Sequence, residues 1–303
     1  MKLTKALFAL LTASLLLCTA LLGCTTQPAA DPATDPTEAP AADPTEVPAA
    51  EPTEVPATDT EVDPDSDLAY ILDKGTLVIG ITEYAPMNYY DESGKLIGFD
   101  TEFAEALCAE LGVTPEFIVI DWDTKELELK SKKIDCIWNG LTIKEDRREN
   151  MDFSTAYLKN EQVVVIRVED AALYTDLASF DGVSVVAEAG SAGEDTVYTD
   201  MPSAVFTGVA AQSDALLEVK AGTADAAVID YTMATAMTGE GTDYSELMIV
   251  AGIDLMDEEY AIGFRLGSDM TEKANEIIAS FLDDGTLAAL AEKYELSDLL
   301  ITD

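Results

Sequence analysis

Residues 134–157 read IDCIWNGLTIKEDRRENMDFSTAY, and their order suits a site that grips a carboxylate. An apolar strand at 136–138 runs into Asn139-Gly140, then a turn carrying Thr142, then a charged helix start with Arg147 and Arg148. The carboxyl end of such a strand places backbone groups at a crevice. Gly140 lets a ligand approach the main chain, Thr142 offers a hydroxyl that donates and accepts, and an arginine fork holds a carboxylate through two parallel hydrogen bonds. From these residues alone, a strand-loop-helix with a solvated basic face is an equal reading.

Other chemistries are bounded by what the chain lacks. It contains no histidine, which excludes Ser-His-Asp and Cys-His catalysis and any imidazole-ligated metal. No cofactor is expected. Cys108 and Cys136 fall in the part of the chain that can fold. An oxidising compartment permits a disulfide between them, yet both have apolar neighbours, and buried free thiols are common. Both readings stay open.

The elements that must position these residues alternate in type. Residues 77–81 form an apolar strand, and Gly98-Phe99-Asp100 opens a helix with Asp100 as N-cap, Phe103, Leu107 and Leu111 on one face and Gly112 at its end. Strands follow at 117–120 and 134–138, a parallel βαβ arrangement. After an extended stretch at 162–168 the alternation restarts. Strands fall at 183–187, 204–209, 226–229 and 248–251, with a helix after Gly193 and another capped by Ser213 and ending at Gly222. Residues 260–266 return as an extended segment, and amphipathic helices carry Ala274, Ile277, Ile278, Phe281 and Leu282, then Leu287, Leu290 and Tyr294. The fold class is α/β, with two open, mostly parallel sheets and hence two lobes.

Gly140-x-Thr142-Ile143 followed by Arg147, then Phe153-Ser154 and Tyr157, resembles the family of extracellular solute-binding proteins that deliver polar amino acids to ABC importers. The resemblance spans almost all of residues 69–303. It implies a class II periplasmic-binding-protein-like fold, with lobe 1 at 69–163 and 262–303, lobe 2 at 164–261, and hinge crossings near 162–168 and 258–266. The last helices are then expected to pack on the first lobe. Tyr84, in Tyr84-Ala85-Pro86-Met87, and Trp122 match aromatics that sandwich the ligand side chain, unless they cover core edges. Gly140, Thr142 and Arg147 match the residues holding the α-carboxylate and part of the α-amino group, with Arg148 one step outside the motif. Glu188-Ala189-Gly190-Ser191-Ala192-Gly193 matches a loop whose backbone N–H groups, around Ser191 and Ala192, add hydrogen bonds at a helix start. Asp230 matches the aspartate that binds the α-ammonium, and a helix N-cap is its alternative. The chain departs from the family pattern in having an acidic residue at 188 and alanine at 192. Glu188 either faces the cleft, selecting a cationic or amide side chain, or points outward and does nothing. Side-chain selectivity is expected to rest on Glu83, Trp122, Asn139 and Glu188.

The remainder of the chain accords with export. Lys2 and Lys5 precede an apolar run at 6–22, and Leu21-Leu22-Gly23-Cys24 looks like a bacterial lipobox. Residues 1–23 are then a lipoprotein signal peptide, and Cys24 carries the lipid that anchors the chain to the outer face of the cell membrane, in a Gram-positive setting. Residues 24–68 form an acidic Pro/Thr/Glu-rich linker with prolines at every fourth position from Pro28 to Pro56. It cannot bury a core, and in polyproline II it reaches roughly 100 Å. The formal charge is −42, of which about −32 remains once this linker and the N-terminal lysines are set aside. That balance opposes nucleic acid or anionic lipid as partners. The expected partners are an amino acid, polar or cationic, and a membrane permease, with the protein a monomer and not an enzyme. Two other classes stay open on this fold: a cyclohexadienyl-type dehydratase using Glu188 or Asp230 as general acid, and a surface adhesin or sensor lipoprotein.

Overall fold

Ser66 starts the folded part, its hydroxyl accepting from Ala69 N–H to cap α1 (Asp67–Lys74), which stops at Gly75 in the left-handed region. The computed structural model describes residues 63–302 apart from Asp65; the expected signal peptide, Cys24 and nearly all of the expected linker lie outside the described residues. α1 begins inside the stretch expected to be linker. Its Leu68 and Ile71 are buried.

The first lobe continues with β1 (Thr76–Ile81), the short hairpin β2 (Tyr89–Tyr90) and β3 (Leu96–Ile97), α2 (Phe99–Leu111), β4 (Thr114–Val119), α3 (Lys125–Lys130), β5 (Cys136–Ile137), α4 (Glu145–Arg148) and β6 (Met151–Phe153). The chain then crosses in β7 (Leu158–Arg167) and builds the second lobe from β8 (Ser184–Glu188), α5 (Ala192–Asp200), β9 (Val205–Val209), α6 (Gln212–Ala221), β10 (Ala226–Asp230), α7 (Tyr231–Met237) and β11 (Leu247–Ile249). It returns through β12 (Asp257–Tyr260) to β13 (Gly263–Arg265), α8 (Met270–Asp283) and α9 (Thr286–Lys293).

Two sheets result. The first runs β4-β1-β5-β13-β6, with β1 parallel to β4 and β5, and β13 antiparallel to both its neighbours. The second runs β11-β7-β10-β8-β9, with β8 parallel to β9 and β10 and β7 antiparallel to β10. The crossings lie slightly earlier in the chain than the sequence implied. Residues 162–166 already pair with β10 inside the second sheet, and the interlobe ladder is 158–161 against 257–260. The C-terminal helices pack on the first lobe, as Phe281 meets Phe103 with ring centroids 6.3 Å apart and Tyr294 donates to Glu102 at 2.7 Å.

Two expected caps are replaced. Gly98, not Asp100, is the N-cap of α2, and the fully buried Asp100 carboxylate instead accepts the Gly140 N–H at 2.7 Å, fixing the loop after β5. Helix α6 starts at Gln212, ahead of Ser213, and has no side-chain cap. Cys108 and Cys136 are buried free thiols, so the disulfide alternative is not realised.

Candidate functional site

The carboxyl ends of β5, β8 and β10 converge between the lobes. Trp122, Asn139, Gly140, Thr142, Arg147, Glu188, Ser191, Ala192, Gln212 and Asp230 line one small, closed cavity. The lobes are closed over it. Lys125 Nζ and Arg147 Nη2 both donate from lobe 1 to the Gly190 carbonyl, at 2.9 and 3.3 Å, and Lys144 pairs with Asp195. A Cβ on Gly190 would lie 2.9 Å from Asp123 Cα, so glycine is what permits this approach.

Arg147 sits in the single turn α4 and is 4% exposed. Its Nη1 donates to Thr142 O at 2.9 Å, and no carboxylate among the described residues lies within ion-pairing distance of its guanidinium. A buried cation bonded only to carbonyls is matched by an anion that enters from outside. Arg148, in contrast, is half-exposed and pairs with Glu145.

Asp230 ends β10 across the cavity and is its electrostatic opposite. Its carboxylate accepts from Asn160 Nδ2 at 3.0 Å, Gln162 Nε2 at 2.5 Å and Gln212 Nε2, and Gln212 Oε1 takes the Asp230 N–H at 2.9 Å. Three neutral amides hold the carboxylate, and no cation among the described residues pairs with it. Asp230 precedes α7 but makes no side-chain cap there. Thr142 Oγ1 donates to Glu258 Oε2 at 2.8 Å, and the Glu258 carboxyl is pushed well above the usual range by burial and then by the Asp230 charge.

Three sequence expectations change in role. Tyr84 does not line the cavity. Its hydroxyl bonds Thr232 Oγ1 at 2.5 Å and Tyr260 OH at 2.6 Å, and its ring closes on Gly140, where a Cβ would meet it at 2.6 Å. The aromatic thus joins the lobes, and Trp122, with the Lys125 ammonium 5.0 Å from its ring centroid, is the aromatic at the cavity. Asn139 lines the cavity but its amide is spent on Thr82 and Asn88. Glu83 is exposed. Ser191 caps α5 by accepting Glu194 N–H at 3.2 Å, which orients the helix start at Ala192 toward the cavity. Glu188 is 2% exposed, lines the cavity and leaves Oε1 with no partner among the described residues.

Sequence reading missed Asn160, Gln162, Gln212 and Glu258. A signal existed for two of them. In β7, Asn160 and Gln162 share parity with the buried Leu158 and Val164, so polar residues occupy inward positions of an otherwise apolar strand.

Burial also makes stability depend on pH. Burial pushes the Asp100 carboxyl up to about 7, against the lowering effect of the Gly140 N–H, and burial together with Asp230 pushes Glu188 up to about 8. Both ionise near pH 4 in an unfolded chain. Their stabilising contribution is therefore complete below about pH 4 and is lost as pH rises through about 7 and 8. At about 1.4 kcal/mol per pKa unit, the urea midpoint is expected to fall between pH 5 and pH 8.5, and Asp100→Asn to flatten that fall. A wild-type midpoint that rises over this interval would contradict the assignment.

Two α/β lobes closed over a buried site with one unpaired cation facing one unpaired carboxylate define a two-lobed solute-binding protein. The chain belongs to the bacterial extracellular solute-binding proteins, family 3, whose pattern matches residues 77–297. It is 28% identical over 232 residues to the L-cystine-binding protein TcyJ of Escherichia coli K12, covering 76% of this chain and 86% of that one. It is 29% identical over 226 residues to the arginine-binding extracellular protein ArtP of Bacillus subtilis 168, covering 73% and 86%. Among solved structures, a substrate-binding protein of an ABC uptake transporter from Streptococcus pneumoniae with bound histidine superposes with TM-score 0.70 at 27% identity, covering 78% of this chain and 99% of that one.

Proposed function

We propose that this protein is the substrate-binding component of an ABC importer, that it captures a polar α-amino acid between its lobes, and that it hands the amino acid to a membrane permease. The observation carrying this reading is the facing pair of Arg147 and Asp230, each buried, each lining the same cavity, and neither paired with an opposite charge. A zwitterionic α-amino acid supplies both missing partners, its carboxylate to Arg147 and its ammonium to Asp230, with the backbone at the start of α5 completing the carboxylate's bonds. Because these anchors sit on different lobes, the ligand stabilises the closed form through contacts that exist only there. Capture and release, not catalysis, is the activity. The transport roles of TcyJ and ArtP support this.

Calorimetric titration of the full chain with each of the twenty amino acids, cystine and ornithine tests the reading. At least one is expected to bind, and binding of none would refute it. At the N-terminus, Leu21-Leu22-Gly23-Cys24 supports lipid attachment at Cys24 and a place on the outer face of the cell membrane, with the acidic linker as a stalk. Growth with labelled palmitate is expected to mark the wild-type chain and not Cys24→Ala. Equal labelling of both would remove the anchor.

A further inference from the structure

Glu188 is the cavity-lining group that the zwitterion anchors leave unexplained. It terminates β8, is 2% exposed, and its Oε1 has no hydrogen-bond partner among the described residues. A carboxylate so placed is expensive unless a donor or a cation meets it. The charged groups around it are Asp230 from the end of β10, Lys125 from α3 and Arg147 from α4, with the Thr82 hydroxyl beyond β1. None of them neutralises it by direct contact. Lys125 Nζ donates to Trp122 O at 3.1 Å and Gly190 O at 2.9 Å, and Arg147 is bonded to Thr142 O and Gly190 O. Asp230 is a like charge. Once a ligand's α-carboxylate has met Arg147 and its α-ammonium has met Asp230, Glu188 Oε1 still lacks a partner among the described residues on the same cavity wall.

We propose that Glu188 receives a second positively charged nitrogen of the ligand, so that the site takes a diamino or guanidino acid and rejects amino acids with neutral or acidic side chains. The proposal rests on the amino-acid reading above. Two sources share this chemistry. One is a cationic side chain, as in arginine, lysine or ornithine. The other is the distal ammonium of cystine, whose second carboxylate would then lie beside Lys125. Trp122 offers its ring to the aliphatic or disulfide stem in either case.

Proton release distinguishes ionic contact at Glu188 from mere packing. With no cation beside it, Glu188 is held up to about 8, so at pH 7 the carboxyl is mostly protonated. An arriving cation favours the carboxylate, and the proton leaves to the buffer. Binding at pH 7 is thus expected to release close to one proton per ligand.

The test is calorimetry on the full chain at pH 7, in phosphate and in Tris, with arginine, lysine, ornithine, cystine, glutamine, leucine and glutamate as probes. The heats in the two buffers should differ by the released proton. At least one of the first four is expected to bind tightest, with proton release, and Glu188→Gln should weaken that ligand on the order of 100-fold and abolish the release. Because glutamine is nearly isosteric with the protonated carboxyl, the variant's unliganded urea midpoint at pH 7 should not fall, which separates lost contact from lost fold. Which of the four binds decides between side-chain cation and distal ammonium. Tightest binding by glutamine, leucine or glutamate, or a Glu188→Gln affinity within about 3-fold of wild type (about 0.65 kcal/mol), overturns this inference while the amino-acid reading stands. Binding by none of the seven overturns this inference, and the wider amino-acid titration then decides the reading it rests on.

Discussion

Arg147→Ala is expected to weaken amino-acid binding by roughly 30- to 5,000-fold, the range for truncating one member of a buried charged pair. The loss has a specific origin. In the closed site no other guanidinium or ammonium among the described residues lines the cavity; Lys125 Nζ is held by the Trp122 and Gly190 carbonyls, and Lys144 pairs with Asp195. The ligand carboxylate would face backbone N–H groups alone. Folding should be nearly unaffected, since Arg147 has no carboxylate partner to strand, and the Thr142 and Gly190 carbonyls it leaves border a polar cavity that admits water. Arg148→Ala, one residue away on the exposed face, is the control and should leave affinity unchanged. Undiminished binding by Arg147→Ala would end the carboxylate assignment.

Asp230→Ala is expected to lower both affinity and stability. Affinity falls by a factor in the same range, because the ligand ammonium loses its counter-charge. Stability falls by roughly 1–3 kcal/mol, because Gln212 Nε2 loses its acceptor in a buried place, while Asn160 and Gln162 keep only Glu258 Oε1. The two effects are separable with a ligand in which a hydroxyl replaces the α-ammonium. The variant should bind that analogue almost as well as wild type does, while the urea midpoint remains depressed. An equal penalty for amino and hydroxy acids would place the ammonium elsewhere.

The sequence made some of this site legible for a physical reason. Gly140 and Thr142 lie on the loop between β5 and α4, with Arg147 in α4 itself, and local order is what spacing can report. Asp230 and Glu188 end strands, which alternation also locates. The rest depended on contacts distant in sequence. Gln212 reaches Asp230 from the next helix back, and Asn160 and Gln162 reach it from the crossing strand, so their roles exist only once three elements meet. Tyr84 shows the converse. Its place in the loop after β1 was readable, but its hydroxyl partners, Thr232 and Tyr260, lie 148 and 176 residues away and turn a ligand aromatic into a strut. Asp100 failed as a cap because the Gly140 N–H, 40 residues on, competes for it.

In β7, residues 158–161 pair with β12 and residues 162–166 with β10, so one unbroken ribbon belongs to the ladder between the lobes and to the second sheet. A paired ribbon twists readily but resists stretching, because elongation breaks its ladder hydrogen bonds whereas torsion shares a small strain among many dihedrals. The lobes are consequently mounted on a torsion bar. Twisting is then the soft motion between them, and Arg147 and Asp230, one on each lobe, are the jaws of a caliper. A molecule too long for the gap between the jaws is rejected by the geometry of the mounting itself, before any contact with its side chain is tested.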